Sequence, residues 1–239
     1  MSSEIEHIEY DRDVNPYPSF GKKYNGEKAI ISMTSWKMRI NTCSKTIYSL
    51  LKQCPGFHIV LVLSEEEFPK MMDELPENLK LFVDNELIEV LWVFRNYKSF
   101  KKVLFTMDKY RDVPVISADD DCIYTCNYAQ VLYDAWKQNK ECVITNNGNT
   151  RFYAWSRGPN TLFPSIFENV AFLFLAKLKD IKYTDDDIFY GAICKKYHIQ
   201  ILDLHKKDFY YFHTQVEALS KKSTKPFNVL SSYFANIVA

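Results

Sequence analysis

Val113-Pro-Val-Ile-Ser-Ala-Asp-Asp-Asp-Cys-Ile-Tyr124 is the stretch on which the fold turns. A short apolar run ends there in three consecutive carboxylates, Asp119, Asp120 and Asp121. Short apolar runs bounded by polar residues read as buried strands, and in open α/β sheets ligands bind beyond the carboxyl ends of parallel strands. Carboxylates crowded at such a rim repel one another unless a cation neutralises them. The pattern predicts a hard divalent cation, Mn²⁺ or Mg²⁺, shared between carboxylates and the phosphate oxygens of a substrate. Aspartate is also common in turns, so the triplet takes its weight from the apolar run in front of it.

On either side of this stretch, strand and helix patterns alternate. Apolar runs at 28–33, 57–63, 87–94, 113–118 and 142–145 read as strands. Helical spacing covers 99–110 and 127–139, and a helix capped by Asn41 or Thr42 stops before Pro55-Gly56. Residues 65–75 read as a short acidic helix or turn interrupted by Pro69. This alternation implies βαβ units and an α/β fold with a mostly parallel central sheet flanked by helices. Further on, 146–160 suit a substrate-facing loop, 163–178 and 184–197 read as helices, and 199–202 as a short strand. The expected organisation is an N-terminal arm (1–27), a main domain (28–203) and a C-terminal tail (204–239). The main domain divides into a first part of alternating strands and helices (28–145) and a second part (146–203).

Composition narrows the chemistry. The 239 residues carry 30 Lys plus Arg and 30 Asp plus Glu. A net charge of zero argues against a nucleic-acid binder that relies on a basic surface. Only 6 glycines are present, and neither a G-x-x-x-x-G-K-[ST] nor a G-x-G-x-x-G motif occurs. A phosphate must then be held by a metal and by cationic side chains. The 6 cysteines form no C-x-x-C pair, which removes zinc spacing and favours free thiols in a reducing compartment. Met1–His7 lacks an apolar signal region, and the longest apolar run, Val170–Leu175, is too short to cross a bilayer. The chain therefore reads as cytoplasmic. Lysines interleaved with aromatics in the tail, Lys206-Lys207 and Lys221-Lys222 among them, could meet the inner face of an anionic membrane.

Asp119 and Asp121 form a D-x-D pair whose side chains share a face in extended backbone. A second triplet, Asp185-Asp186-Asp187, follows Thr184. Thr184 can cap a helix there, with the acids favoured by its dipole. A positioned carboxylate could equally act as a general base. Arg39, just past the first strand, and Lys98, Lys101 and Lys102, after the third, are candidate partners for a diphosphate. His213 is a candidate late metal ligand, against the plainer reading of a satisfied or exposed histidine.

These pieces, in this order, resemble a nucleotide-sugar-dependent glycosyltransferase of the GT-A fold, near the bacterial and viral enzymes of glycosyltransferase family 2. The resemblance runs over about residues 28–203, through Ile31–Ile40, Thr46–Gln53, Ile59–Pro69, Tyr97–Lys102, Ile116–Tyr124 and Thr184–Phe189. It implies that Thr34, Ser35 and Arg39 hold the nucleotide and Lys102 approaches the diphosphate. Asp119, with Asp120 beside it, would contact ribose or donor sugar, and Asp121 would bind Mn²⁺ or Mg²⁺. Asp186, or a neighbour in its triplet, would deprotonate the acceptor hydroxyl, giving inversion. Asp185-Asp186-Asp187 stands where a Glu-Asp is common, which leaves all three as candidate bases. The resemblance also implies a UDP-sugar donor and a glycan or lipid-linked saccharide acceptor. The missing Q-x-x-R-W motif of processive synthases implies addition of single sugars. Other readings fit less well. A phosphatase with a D-x-D motif needs Thr or Val where Ile123 stands. A sugar-phosphate nucleotidyltransferase expects a Gly-rich loop that Ser32–Arg39 lacks. A non-catalytic glycan-binding module would have no use for two acidic triplets.

Overall fold

The computed structural model describes residues 17–146, 160–167, 172–178, 181–206, 209–211 and 227–239. These build an eight-stranded mixed sheet between two layers of helices. Its strands are β1 (Ser19–Gly21), β2 (Ala29–Thr34), β3 (Phe57–Ser64), β4 (Glu89–Val93), β5 (Val115–Asp119), β7 (Val143–Thr145), β8 (Thr161–Phe163) and β9 (Ile201–Asp203). They lie in the order β1-β4-β3-β2-β5-β8-β7-β9. The central strands β4, β3, β2 and β5 are parallel to their neighbours, while β1 and β8 join antiparallel at either side. Every residue of β3 is buried, as an apolar run covered on both faces requires.

Alternate strand residues feed two cores. Ile31, Leu61, Leu63 and Trp92 face α1 (Cys43–Leu50), α2 (Glu77–Asp84) and α4 (Tyr128–Gln138). Ile30, Val60, Val62 and Leu91 face α3 (Lys101–Lys109), α5 (Asp186–Lys196) and α6 (Phe227–Val238). Side chains such as Leu104, Phe189 and Phe234 are almost fully buried there, each contributing roughly 1.5–3 kcal/mol by leaving water. A two-stranded ribbon pairs β6 (Cys122–Tyr124) with β10 (Phe209–Tyr211).

Several expectations change. Part of the arm is built into the sheet: β1 pairs with β4, Ser19 opposite Leu91. Gly21 makes that edge possible, because at its φ of +90° a Cβ would lie 2.3 Å from the Ile88 carbonyl oxygen. Residues 65–75 form only a 3₁₀ turn at Met71–Glu74. The helix that does form nearby, α2, starts after Pro76 and buries Leu79 and Val83, four residues apart on one face. The stretch 163–178 is not one helix, since Phe163 ends β8 and the described residues beyond it form 3₁₀ turns at Ser165–Phe167 and Phe172–Leu178. Asp185, not Thr184, is the N-cap of α5. In the tail, α6 lies against α5, and Lys196 Nζ reaches the terminal carbonyls of Val238 and Ala239. The loop at 147–159 lies outside the described residues. All six cysteines are free. No helix among the described residues is long and apolar enough to cross a membrane.

Candidate active site

β2 and β5 run side by side, with Thr34 opposite Asp119 at their carboxyl ends. The chain reverses direction across the sheet here: β3 and β4 extend it on one side of β2, β5 and β8 on the other. Such a reversal opens a crevice beyond the strand ends, and the first acidic triplet sits at it.

The three aspartates face different partners. Asp120 is buried, 6% exposed. Ser35 Oγ donates to its Oδ2 at 2.6 Å, and the Arg39 guanidinium pairs with its Oδ1. Arg39 arrives because the loop after β2 curls: the N–H groups of Arg39 and Ile40 both donate to the Trp36 carbonyl, at 2.8 and 2.9 Å. Burial pushes the Asp120 carboxyl up to about 6, against the pull of Arg39 and Ser35. Arg39 also reaches Asp121 Oδ2 at 3.1 Å. Burial, then the charge of Asp119, raises the pKa of Asp121. Asp119 is half-buried, and its backbone N–H donates to the Tyr124 hydroxyl at 2.8 Å, which ties down the turn.

Lys102 joins the two triplets. Its Nζ lies 2.7 Å from Asp119 Oδ1 and 3.0 Å from Asp186 Oδ2. Burial works against its charge, but the two carboxylates overcome that and hold its pKa well above the usual lysine value. The helix that carries it is fastened on two sides. Ser32 Oγ of β2 donates to the Lys102 carbonyl, with the Thr106 hydroxyl 2.7 Å from the same Oγ. At its start, Ser99 Oγ donates to the Thr184 carbonyl at 2.7 Å and Tyr190 Oη to the Phe100 carbonyl at 3.1 Å. These bonds place the first turn of α5 beside the first turn of α3. Asp186 is buried, and burial raises its pKa although Lys102 opposes the shift. Asp187, partly open to solvent yet surrounded by protein mass, is raised well above the usual range by desolvation and by Asp186.

The geometry thus brings together Ser35, Arg39, Lys102, Asp119, Asp120, Asp121 and Asp186. Thr34 lies at the same rim, its Oγ1 donating to the Val62 carbonyl at 2.7 Å. Asp185 and Asp187 flank Asp186 at the helix start. Lys98 is exposed. His213 lies outside the described residues. One contributor was not singled out in the sequence. Tyr124 braces Asp119; Cys122-Ile123-Tyr124 is apolar throughout in sequence, and only the structure, with its buried-exposed-buried pattern, turns Tyr124 inward. Lys101, a candidate diphosphate partner by sequence, is buried with its Nζ 3.1 Å from both Asn96 Oδ1 and the Lys98 carbonyl, and 3.6 Å from Glu67. Burial draws its pKa down to about 8, with Glu67 pushing the other way.

A divalent cation fits the donor chemistry at Asp119 and Asp121, whose mutual repulsion already disfavours ionisation of Asp121. No group of three or more His, Cys, Asp or Glu converges among the described residues. Two carboxylates supply only part of the six-oxygen shell that Mg²⁺ takes, the rest coming from other oxygens such as phosphate and water.

The fold is one shared with solved glycosyltransferase structures. In particular, the chain is similar to S. aureus TarS 1–349 in complex with UDP-GlcNAc, at 13% identity and a TM-score of 0.58, over 87% of this chain and 66% of that one. With TarS 1–349 bound to UDP the TM-score is 0.56 at 14% identity, over 89% of this chain and 70% of that one. The mannosyltransferase PcManGT from Pyrobaculum calidifontis, in complex with GDP-Man and Mn²⁺, gives 0.52 at 10% identity, over 80% of this chain and 58% of that one. The chain spans 36% of the longer TarS structure it matches. No protein-family model and no curated protein matches the sequence.

Proposed function

We propose that this chain is a divalent-metal-dependent glycosyltransferase that moves a sugar from a nucleoside diphosphate donor, a UDP-sugar by default, to a glycan hydroxyl. The observation that carries the reading is Lys102, one buried ammonium held between Asp119 at the donor side and Asp186 at the start of α5. Asp119 and Asp121 would hold Mn²⁺ or Mg²⁺ together with the diphosphate. When bound, the cation neutralises charge developing on the leaving group. Lys102 would supply a second positive charge to the same phosphates, and Asp120 would keep Arg39 aimed at the nucleotide side of the crevice. Asp186 would accept the proton of the attacking hydroxyl, and attack opposite the departing diphosphate would invert the anomeric carbon. The raised pKa values of Asp186 and Asp187 support a base at this helix start.

The test is release of UDP from UDP-GlcNAc, UDP-glucose and UDP-galactose with Mn²⁺ present, for the wild type and Asp186→Asn. Loss of a general base lowers turnover by about 10²–10⁴-fold while nucleotide binding persists. Equal turnover in the two proteins would remove Asp186 from the chemistry, and no turnover with any donor would count against a transferase of UDP-sugars.

A further inference from the structure

We propose that a second cleft, at the amino-terminal end of the parallel strands, binds an anionic saccharide. It has a volume of about 470 Å³ and is open to solvent, between the segment leading into β2, the one leading into β5, and α4. Tyr133 and Trp136, three apart on α4, form its aromatic wall, with ring centroids 5.5 Å apart and planes inclined by 38°. The indole is held in place, its Nε1 donating to the Lys140 carbonyl at 3.0 Å. Lys28 Nζ stands 4.4 Å from the Phe57 ring centre and 5.3 Å from that of Tyr133, bonded to Gln130 Oε1 at 2.6 Å. Lys140 Nζ stands 5.7 Å from the Trp136 ring. Among the described residues neither ammonium forms a salt bridge with a carboxylate, although Lys28 feels the charge of Asp134; Lys137, also in the lining, pairs with Asp134 at 3.1 Å. Glu27, paired with Lys22 at 3.0 Å, and Asp112 also line the cleft.

This is the chemistry of a sugar site. Aromatic faces take the C–H faces of a pyranose, convergent polar groups fix its hydroxyls, and ammonium groups outside any salt bridge take an acidic substituent. A ring of hydroxyls alone would not need the two lysines, and a simple anion would not need the rings. The cleft is remote from the aspartates: β2 separates them by six residues, about 20 Å at ~3.3 Å per residue. Only an extended ligand reaches both. As an anchor for a polymeric acceptor the cleft rests on the proposed transfer reaction; as a binding site it does not.

The experiment is calorimetric titration of the full chain with hexagalacturonate, phosphorylated maltohexaose and neutral maltohexaose, with UDP plus Mn²⁺ titrated separately. At least one charged oligosaccharide should bind about tenfold or more tightly than the neutral one, and the preferred probe identifies the anion as carboxylate or phosphate. Lys140→Glu and Trp136→Ala should each weaken that binding by about fivefold or more without altering UDP binding. The proposal is overturned if neither charged probe saturates at millimolar concentration, if Lys140→Glu binds as the wild type does, or if Asp121→Asn abolishes oligosaccharide binding. Oligosaccharide binding without any UDP binding would uphold the cleft and refute the catalytic reading.

Discussion

Replacing Lys102 by Met removes one charge and leaves two carboxylates facing each other. Lys102 is 5% exposed, and its side-chain contacts at 2.7 and 3.0 Å join groups that are 30% and 11% exposed at the side chain. Each contact is worth about 6 kcal/mol of gross attraction at an effective dielectric constant near 20. Most of that is offset in the wild type by the cost of burying the ammonium. Breaking a buried pair from one side nevertheless costs about 3–5 kcal/mol, because an uncompensated charge remains. Asp119 keeps some access to water, so the lower end applies, about 3 kcal/mol. For a chain of this length that corresponds to a fall in Tm of roughly 6–12 °C. Scanning calorimetry measures the fall, and Lys102→Met/Asp186→Asn separates charge from packing. Removing the orphaned carboxylate should recover at least about 1 kcal/mol of the loss. A double variant no more stable than the single one would refute the view that Lys102 acts as the shared counter-charge of the two triplets.

Two further substitutions probe the frame that holds the crevice. Glu89 of β4 accepts bonds from His58, at 2.7 Å, and from Lys109 and Tyr110. Burial alone would raise its pKa, but these partners draw it down to about 2. A lowered carboxyl pKa contributes stability that is present above the unfolded value near 4.5 and lost as pH falls toward 2. The shift corresponds to about 3 kcal/mol. Urea unfolding should show Glu89→Gln less stable than the wild type by about that amount at pH 7, with the gap closing below about pH 4; a gap independent of pH would contradict the assignment. Gly21→Ala should cost about 1–3 kcal/mol from the left-handed backbone and the clash with the Ile88 carbonyl, and an unchanged urea midpoint would argue against the β1–β4 edge.

The parallel core was legible because its strands are apolar throughout. Phe57–Ser64 has no other way to bury both faces. The rim was legible because charge behind such a strand has few structural uses. Much else depended on contacts between distant residues. The meeting of the two triplets rests on Ser99 with Thr184 and Tyr190 with Phe100, pairs 85 and 90 residues apart. The inward turn of Asp120 depends on a loop curl that no local propensity signals, so three adjacent aspartates looked equivalent when they are not. The short elements β1, β6 and β8 have three residues each, and only pairing with a neighbouring strand stabilises so short a strand. α2 was missed because its apolar pair, Leu79 and Val83, is sparse, and Pro76 reads as a break where it serves as the N-cap.

The central claim is that carboxylates at the carboxyl end of β5, beside β2, capture a divalent cation together with a diphosphate. Calorimetric titration of UDP in the presence and absence of Mn²⁺, on the wild type and on Asp121→Asn, tests it most directly. The account predicts that Mn²⁺ tightens UDP binding by about tenfold or more in the wild type and has no such effect in the variant. UDP affinity that ignores the metal, or a variant that keeps the full enhancement, would contradict it.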